Sequence, residues 1–193
     1  MDAERKIQTV SVFGGGKGID EGHWAYTLAS EIGFLLAERK IIVRTGAGSG
    51  VMEATARGAV SIGGEAQGCY LWDRQPNPYQ KRAAFHAASM LPPANDENPE
   101  RQWGVRLGHL LEADAFIAIM ADPTSGTLVE VFGVVNLNQK LWSPKRRLVT
   151  VGRYSPVQAE FPDLYDSSLY PHFRLNPYFH LSAETIVETL LAS

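Results

Sequence analysis

The run Ala115–Ala121, AFIAIMA, contains no polar side chain; a turn and then a helical pattern follow it. A strand that is apolar on both faces must be covered on both, as happens inside a parallel sheet wrapped by helices. Such sheets bind ligands beyond the carboxyl ends of their strands. The turn Pro123-Thr124-Ser125-Gly126-Thr127 is therefore expected at a binding edge. The helix after it points free N–H groups and a positive dipole end into that edge, an arrangement suited to an anion such as phosphate.

The rest of the chain repeats this alternation. A strand at about Thr9–Phe13 runs into GGGKG, and a helix from about His23 to Glu38 carries Ala25, Leu28, Ala29, Ile32, Leu35 and Leu36 at helical spacing. A second strand, Ile41–Arg44, runs into Thr45–Gly50, a second helix starts near Val51 and ends before Gly63, and a third strand spans about Ala66–Leu71. Between Trp72 and Trp103 stand five of the chain's 11 prolines, which bars a long helix and confines any helix to Lys81–Ala88; such a stretch suits a functional lid or partial disorder. A helix from about Gln102 to Glu112 leads into the Ala115–Ala121 strand. A helix from about Leu128 to Leu141, a strand at Arg147–Val151, a short strand at Tyr178–Leu181 and a helix capped by Ser182 and reaching Leu191 complete the order. The expected fold class is α/β: a three-layer, Rossmann-like open parallel sheet with helices on both faces, with residues 1–193 forming one domain.

Composition narrows the function. With a net charge of −3 and no basic stripe, the chain offers nothing to a polyanion, and no nucleic-acid partner is expected; Lys145-Arg146-Arg147 is a short cluster leading into a strand. No apolar run approaches the ~20 residues that cross a bilayer, and the N-terminus lacks a signal-like apolar core, so the expectation is a cytoplasmic protein with no membrane partner. The five histidines and Cys69 show no metal-ligand spacing, so neither a metal nor a cofactor is expected; the neighbours of Cys69 mark a buried strand, not a reactive thiol.

Three turns, Gly14–Gly18, Thr45–Gly50 and Pro123–Thr127, should gather along one sheet edge. Glycine lets backbone N–H groups approach a phosphate and adopt positive φ, though a glycine turn also serves close helix–strand packing. The P-loop pattern is absent, the first turn lacks the full GxGxxG spacing, and no acidic residue ends the second strand to hold a ribose, which argues against NTPases and NAD dehydrogenases.

The second turn reads Thr45-Gly46-Ala47-Gly48-Ser49-Gly50-Val51-Met52-Glu53-Ala54, and the third ends in Gly126-Thr127-Leu128-Val129-Glu130. These resemble the LOG family of phosphoribohydrolases, whose signatures are TGGGxGxMxA and PGGxGTxxE. Alanine replaces one glycine of the first, and Asp122-Pro123-Thr124 replaces the proline and both glycines of the second. The resemblance covers about residues 9–151. It implies a homodimer that hydrolyses the N-glycosidic bond of a purine nucleoside 5′-monophosphate, with N6-modified adenine one candidate base. The ligand would then be a nucleotide-like small molecule. Glu130 and Arg106 would be catalytic, although the family's MHxRK motif is missing and Arg106 stands about one residue out of its register, with Arg101 the fallback. Gly14, Gly15, Gly46, Gly48, Gly50, Met52, Thr124, Ser125, Gly126 and Thr127 would hold substrate and phosphate.

Each assignment has a plainer counterpart. Thr127 and Glu130 also satisfy the S/T-x-x-E capping box, so Glu130 can be read as tying down a helix start. Glu53 reads as a helix-face charge, Arg106 as a solvated ion-pair partner and Met52 as core. Proline at 123 removes a donor, threonine at 124 removes positive-φ freedom, and Asp122 sets a negative charge beside the phosphate position, although the hydroxyls of Thr124, Ser125 and Thr127 can replace lost donors. The alternative function is a non-catalytic nucleotide or cofactor carrier or sensor on the same scaffold, similar to the molybdenum-cofactor carrier proteins.

Overall fold

The structure, a computed structural model, describes residues 6–69, 99–121, 125–142, 144, 146–152 and 182–192. Five strands, β1 Thr9–Gly14, β2 Ile42–Thr45, β3 Ala66–Gly68, β4 Ala115–Met120 and β5 Arg147–Gly152, form one sheet in the order β3-β2-β1-β4-β5. Every pairing is parallel. Helices α1 Trp24–Glu38, α2 Val51–Ser61, α3 Pro99–Leu111, α4 Ser125–Lys140 and α5 Ala183–Leu191 cover it. The α/β class and the parallel sheet are as the alternating pattern requires.

Side chains alternate along each strand and feed two cores. Val10, Val12, Ile117, Ile119 and Val149 pack with Ile32 and Leu36 of α1, Ala54 of α2, and Ile186 and Leu190 of α5. Phe13, Phe116, Met120 and Leu148 pack on the opposite face with Leu110 of α3 and Val131 and Val134 of α4. All six residues of β4 are buried, as a strand with helices on both sides must be. The chain proceeds outward from β1 to β3 on one side and from β4 to β5 on the other. The strand order therefore reverses between β1 and β4, which makes the crevice beyond their carboxyl ends the topological switch point.

Several boundaries differ from the sequence expectation. Helix α3 starts at Pro99 instead of Gln102, because proline is suited to the first helical position, where its missing N–H has no intrahelical partner to lose. Helix α4 starts at Ser125 instead of Leu128, so the third turn is shorter than expected and Thr127 sits inside the helix. Strand β3 ends at Gly68, although Cys69 N still donates to Thr45 O at 2.8 Å. Ser182 caps α5 as expected, its Oγ accepting from Thr185 N at 3.2 Å. The expected Lys81–Ala88 helix and Tyr178–Leu181 strand lie outside the described residues.

Helices α1 and α2 cross so closely that two glycines are obligatory. A Cβ on Gly33 would overlap Thr55 O, and one on Gly58 would overlap Ser30 O. Main-chain atoms cannot swing aside as a side-chain end can. Gly58→Ala is expected to cost about 2 kcal/mol or more in urea unfolding through overpacking. Gly104→Ala in α3, where a Cβ meets no atom within 4 Å, is expected to gain about 0.5–1 kcal/mol from helix propensity alone.

Candidate active site at the switch point

The first two glycine turns are locked to each other. Val51 N, at the start of α2, donates to Gly15 O at 3.1 Å. Gly50 has φ +69° and lies against Gly15 O and the Cα of Gly16, where no side chain fits. Gly14 packs against the Val51 side chain. These three glycines thus serve the close approach of β1 and α2, whatever else they contact.

Ala47, which stands where the LOG signature has glycine, has φ +60° and is buried. Its N–H is held by Thr45 Oγ1 at 3.2 Å. An L-residue in this left-handed region carries roughly 1 kcal/mol of strain. Gly46 and Gly48 are needed for another reason. A Cβ at Gly46 would strike Nη2 of Arg106, and one at Gly48 would strike Cε of Met52. Met52 belongs to neither buried core; its thioether lies over the turn. The reading of Met52 as core is corrected: at the first turn of α2 it faces the turn that precedes it.

Arg106 connects this turn to the third. Its Nε donates to Cys69 O at 2.8 Å, Nη2 to Gly46 O at 3.3 Å, and Nη1 faces Glu130 Oε1 at 3.4 Å. Arg106 is 8% exposed and Glu130 5%, so neither is the solvated surface charge that composition alone allowed. Arg101, the fallback, is on the exposed first part of α3. The capping reading of Glu130 does not fit either. The helix begins two residues before Thr127, so Thr127 is not at its N-cap, and the Glu130 carboxylate meets Arg106. Thr127 is buried, Gly126 half-buried and Ser125 exposed at the helix start; Thr124 lies outside the described residues.

Burial pushes the Glu130 carboxyl up from 4.5 to about 7, and the attraction of Arg106 only partly opposes this. The ion pair is too long to reverse the balance, because charge-assisted N–H···O bonds that fully hold a carboxylate ionised run nearer 2.8 Å. Glu130 therefore changes protonation state near neutral pH, as a general acid or base must. Cys69 supplies only its carbonyl; burial pushes its thiol up to about 11, as the sequence reading of an unreactive cysteine requires.

Elsewhere, arginines that read as a basic cluster are absorbed by the fold. Arg146 stacks 4.1 Å over Trp142 and donates to Leu111 O and Ala113 O, while Arg147 donates to Leu190 O. Among the described residues no cluster of three metal-binding side chains occurs, and no helix is long and apolar enough to cross a membrane.

Three outcomes follow. Ala47→Gly is expected to raise unfolding free energy by up to about 1 kcal/mol, the strain relieved being partly offset by added unfolded-state entropy. Between pH 4.5 and about 7 the folded protein keeps a proton on Glu130 that the unfolded chain has released, so stability falls as pH rises through that window. Denaturation over a pH series should show Glu130→Gln lacking a decline worth roughly 3 kcal/mol in the parent protein. Arg106→Gln should push the Glu130 carboxyl above its present value in a side-chain NMR titration, since the opposing attraction of Arg106 is gone.

No curated protein sequence matches the chain. Among solved structures, the molybdenum cofactor binding protein of Rippkaea orientalis matches with a TM-score of 0.64 at 18% identity, over 96% of each chain. The Moco carrier protein of Chlamydomonas reinhardtii matches with a TM-score of 0.62 at 22% identity, over 97% of this chain and 99% of that one. The protein TM1055 matches with a TM-score of 0.53 at 20% identity, over 75% of this chain and 73% of that one. These likenesses concern the fold. A family model matches residues 7–148, a span that holds strands β1 to β4, the start of β5 and both members of the Arg106–Glu130 pair, and by that match the chain belongs to the SLOG cluster4 family.

Proposed function

We propose that this protein is a LOG-like phosphoribohydrolase that cleaves the N-glycosidic bond of a purine nucleoside 5′-monophosphate. The observation that carries the reading is Glu130. It is a carboxyl group at the switch-point edge, buried, facing one arginine, and poised to exchange a proton near pH 7. Hydrolysis of this bond places positive charge on the anomeric carbon as the carbon–nitrogen electron pair departs with the base. Ionised Glu130 stabilises that charge and accepts a proton from the attacking water; the same proton can then neutralise the departing base. Arg106, held by two main-chain carbonyls, fixes the orientation of Glu130. The start of α4 at Ser125, Gly126 and Thr127, with Thr124 before it, offers the N–H groups and hydroxyls for the 5′-phosphate, and the Gly14–Gly15 and Gly46–Gly50 turns line the rest of the edge. Homodimerisation, which the family resemblance implies, and the cytoplasmic setting expected from the sequence belong to the same reading.

A carrier of a nucleotide-like cofactor is the second reading. It is favoured by two full-length likenesses to proteins that bind or carry the molybdenum cofactor and by the replaced Asp122-Pro123-Thr124 turn. Turnover separates the two. Purified protein incubated with AMP and with N6-prenylated AMP is expected to release free base, and Glu130→Gln to slow release by about 100-fold or more. Nucleotide binding with no release above that of the Gln variant would sink the hydrolase reading and leave the carrier.

A further inference from the structure

Helix α3 carries an aromatic side chain that neither core uses. The helix ends at Leu111, three residues before β4, and Asp114 at that junction accepts from Gln8 N and Thr9 N at the amino edge of the sheet. Helix α3 therefore runs opposite to the strands, and its earlier residues lie toward their carboxyl ends, where Arg106 reaches Gly46 O and Cys69 O. Trp103 is one turn before Arg106, about 4.5 Å further out along the helix axis. Its ring centroid lies 5.2 Å from the Arg106 guanidinium carbon, so one face of the ring covers the arginine. The residue is nonetheless 36% exposed. Trp142 makes the contrast: its ring is stacked on Phe116 at an interplanar angle of 7° and covered by Arg146.

The guanidinium beneath Trp103 already has three protein acceptors and lies in the interior, so an indole is more than its shielding requires. We propose that Trp103 is the stacking platform of the site, taking the planar heterocycle of the ligand on its ring while Glu130 faces the bond that joins that heterocycle to the sugar. The assignment rests on the nucleotide reading above and adds the ligand class: flat aromatic bases are accepted by stacking on the ring, and a sugar phosphate without a base loses that contact. The geometry is coherent. Glu130 and the Trp103 ring both contact the same guanidinium, so a base bonded directly to the carbon at Glu130 is within reach of the ring. The cation under the indole strengthens the platform by fixing the ring in place. Stacking tolerates many bases because each has a π-face, so the platform selects planarity without naming the base.

The test is calorimetric titration of the full chain with the carbocyclic analogue of AMP, whose bond to the base does not hydrolyse, and with ribose 5-phosphate. Trp103→Ala is expected to weaken the AMP analogue by at least about 5-fold with little change for ribose 5-phosphate, and Trp103→Phe to keep both within about 2-fold. The analogue should also quench tryptophan emission in the parent protein and do so far less in Trp103→Phe, a comparison that holds even if the alanine variant folds poorly. An alanine variant with unchanged affinity for the analogue, or one that loses ribose 5-phosphate equally, reduces Trp103 to a cover for Arg106 and overturns the proposal. A parent protein that binds ribose 5-phosphate as tightly as the analogue overturns the platform alone. A parent protein that binds neither removes the nucleotide reading and the platform with it.

Discussion

A guanidinium taken out of water has to be met by acceptors, because its charge cannot be discharged by losing a proton and its desolvation is severe. Arg106 meets that demand with the carbonyls of Gly46 and Cys69 and the carboxylate of Glu130. Those acceptors come from the ends of β2 and β3 and from the helix after β4, so one side chain from α3 gathers three segments of the binding edge from either side of β1. The constraint also runs in the other direction. Gly46 must lack a side chain because the guanidinium occupies the space, and the cation partly offsets the burial that raises the Glu130 carboxyl. A buried pair of this kind is poor evidence of added stability, since well-packed apolar residues can do as well. The proposed chemistry is what gives the pair a use at the switch point.

The glycines of the edge divide into those that shape the scaffold and those that leave room for the pair. Gly14, Gly15 and Gly50 let the first and second turns touch, with Val51 N donating to Gly15 O. Gly46 and Gly48 accommodate Arg106 and Met52. A glycine-rich pattern therefore signals close approach at this edge before it signals phosphate. Ala47 shows the tolerance of the arrangement: the backbone keeps the left-handed conformation even with a methyl group there, because Thr45 Oγ1 and the surrounding core hold it.

Much of the fold was legible because it depends on local periodicity. The apolar run at Ala115–Met120, the helical spacing of Ala25, Ala29, Ile32 and Leu36, and the Ser182 cap are patterns that neighbouring residues impose, and each appears in the structure. Boundaries were misread where two local rules competed. Pro99 closed a proline-rich stretch, yet proline also suits a helix start, and Thr127 with Glu130 looked like a cap although the helix had begun at Ser125. Trp103 escaped notice for a different reason. The expected helix from about Gln102 already placed Trp103 and Arg106 three residues apart on one face, but the exposure of the ring and the burial of the guanidinium beneath it come from packing that spacing does not record.

The amino-acid sequence by itself determined the α/β class, the parallel sheet and the candidate residues Glu130 and Arg106, because hydrophobic period and turn chemistry are local properties and the motif fragments are contiguous. Only the tertiary structure decided what those residues do to each other. Arg106 and Glu130 lie 24 residues apart, and their meeting depends on β1 separating β2 from β4 in the sheet and on α3 and α4 sharing one face. The burial that lifts Glu130 toward neutrality is likewise a property of that packing, since desolvation comes from atoms remote in the chain and no spacing rule records it.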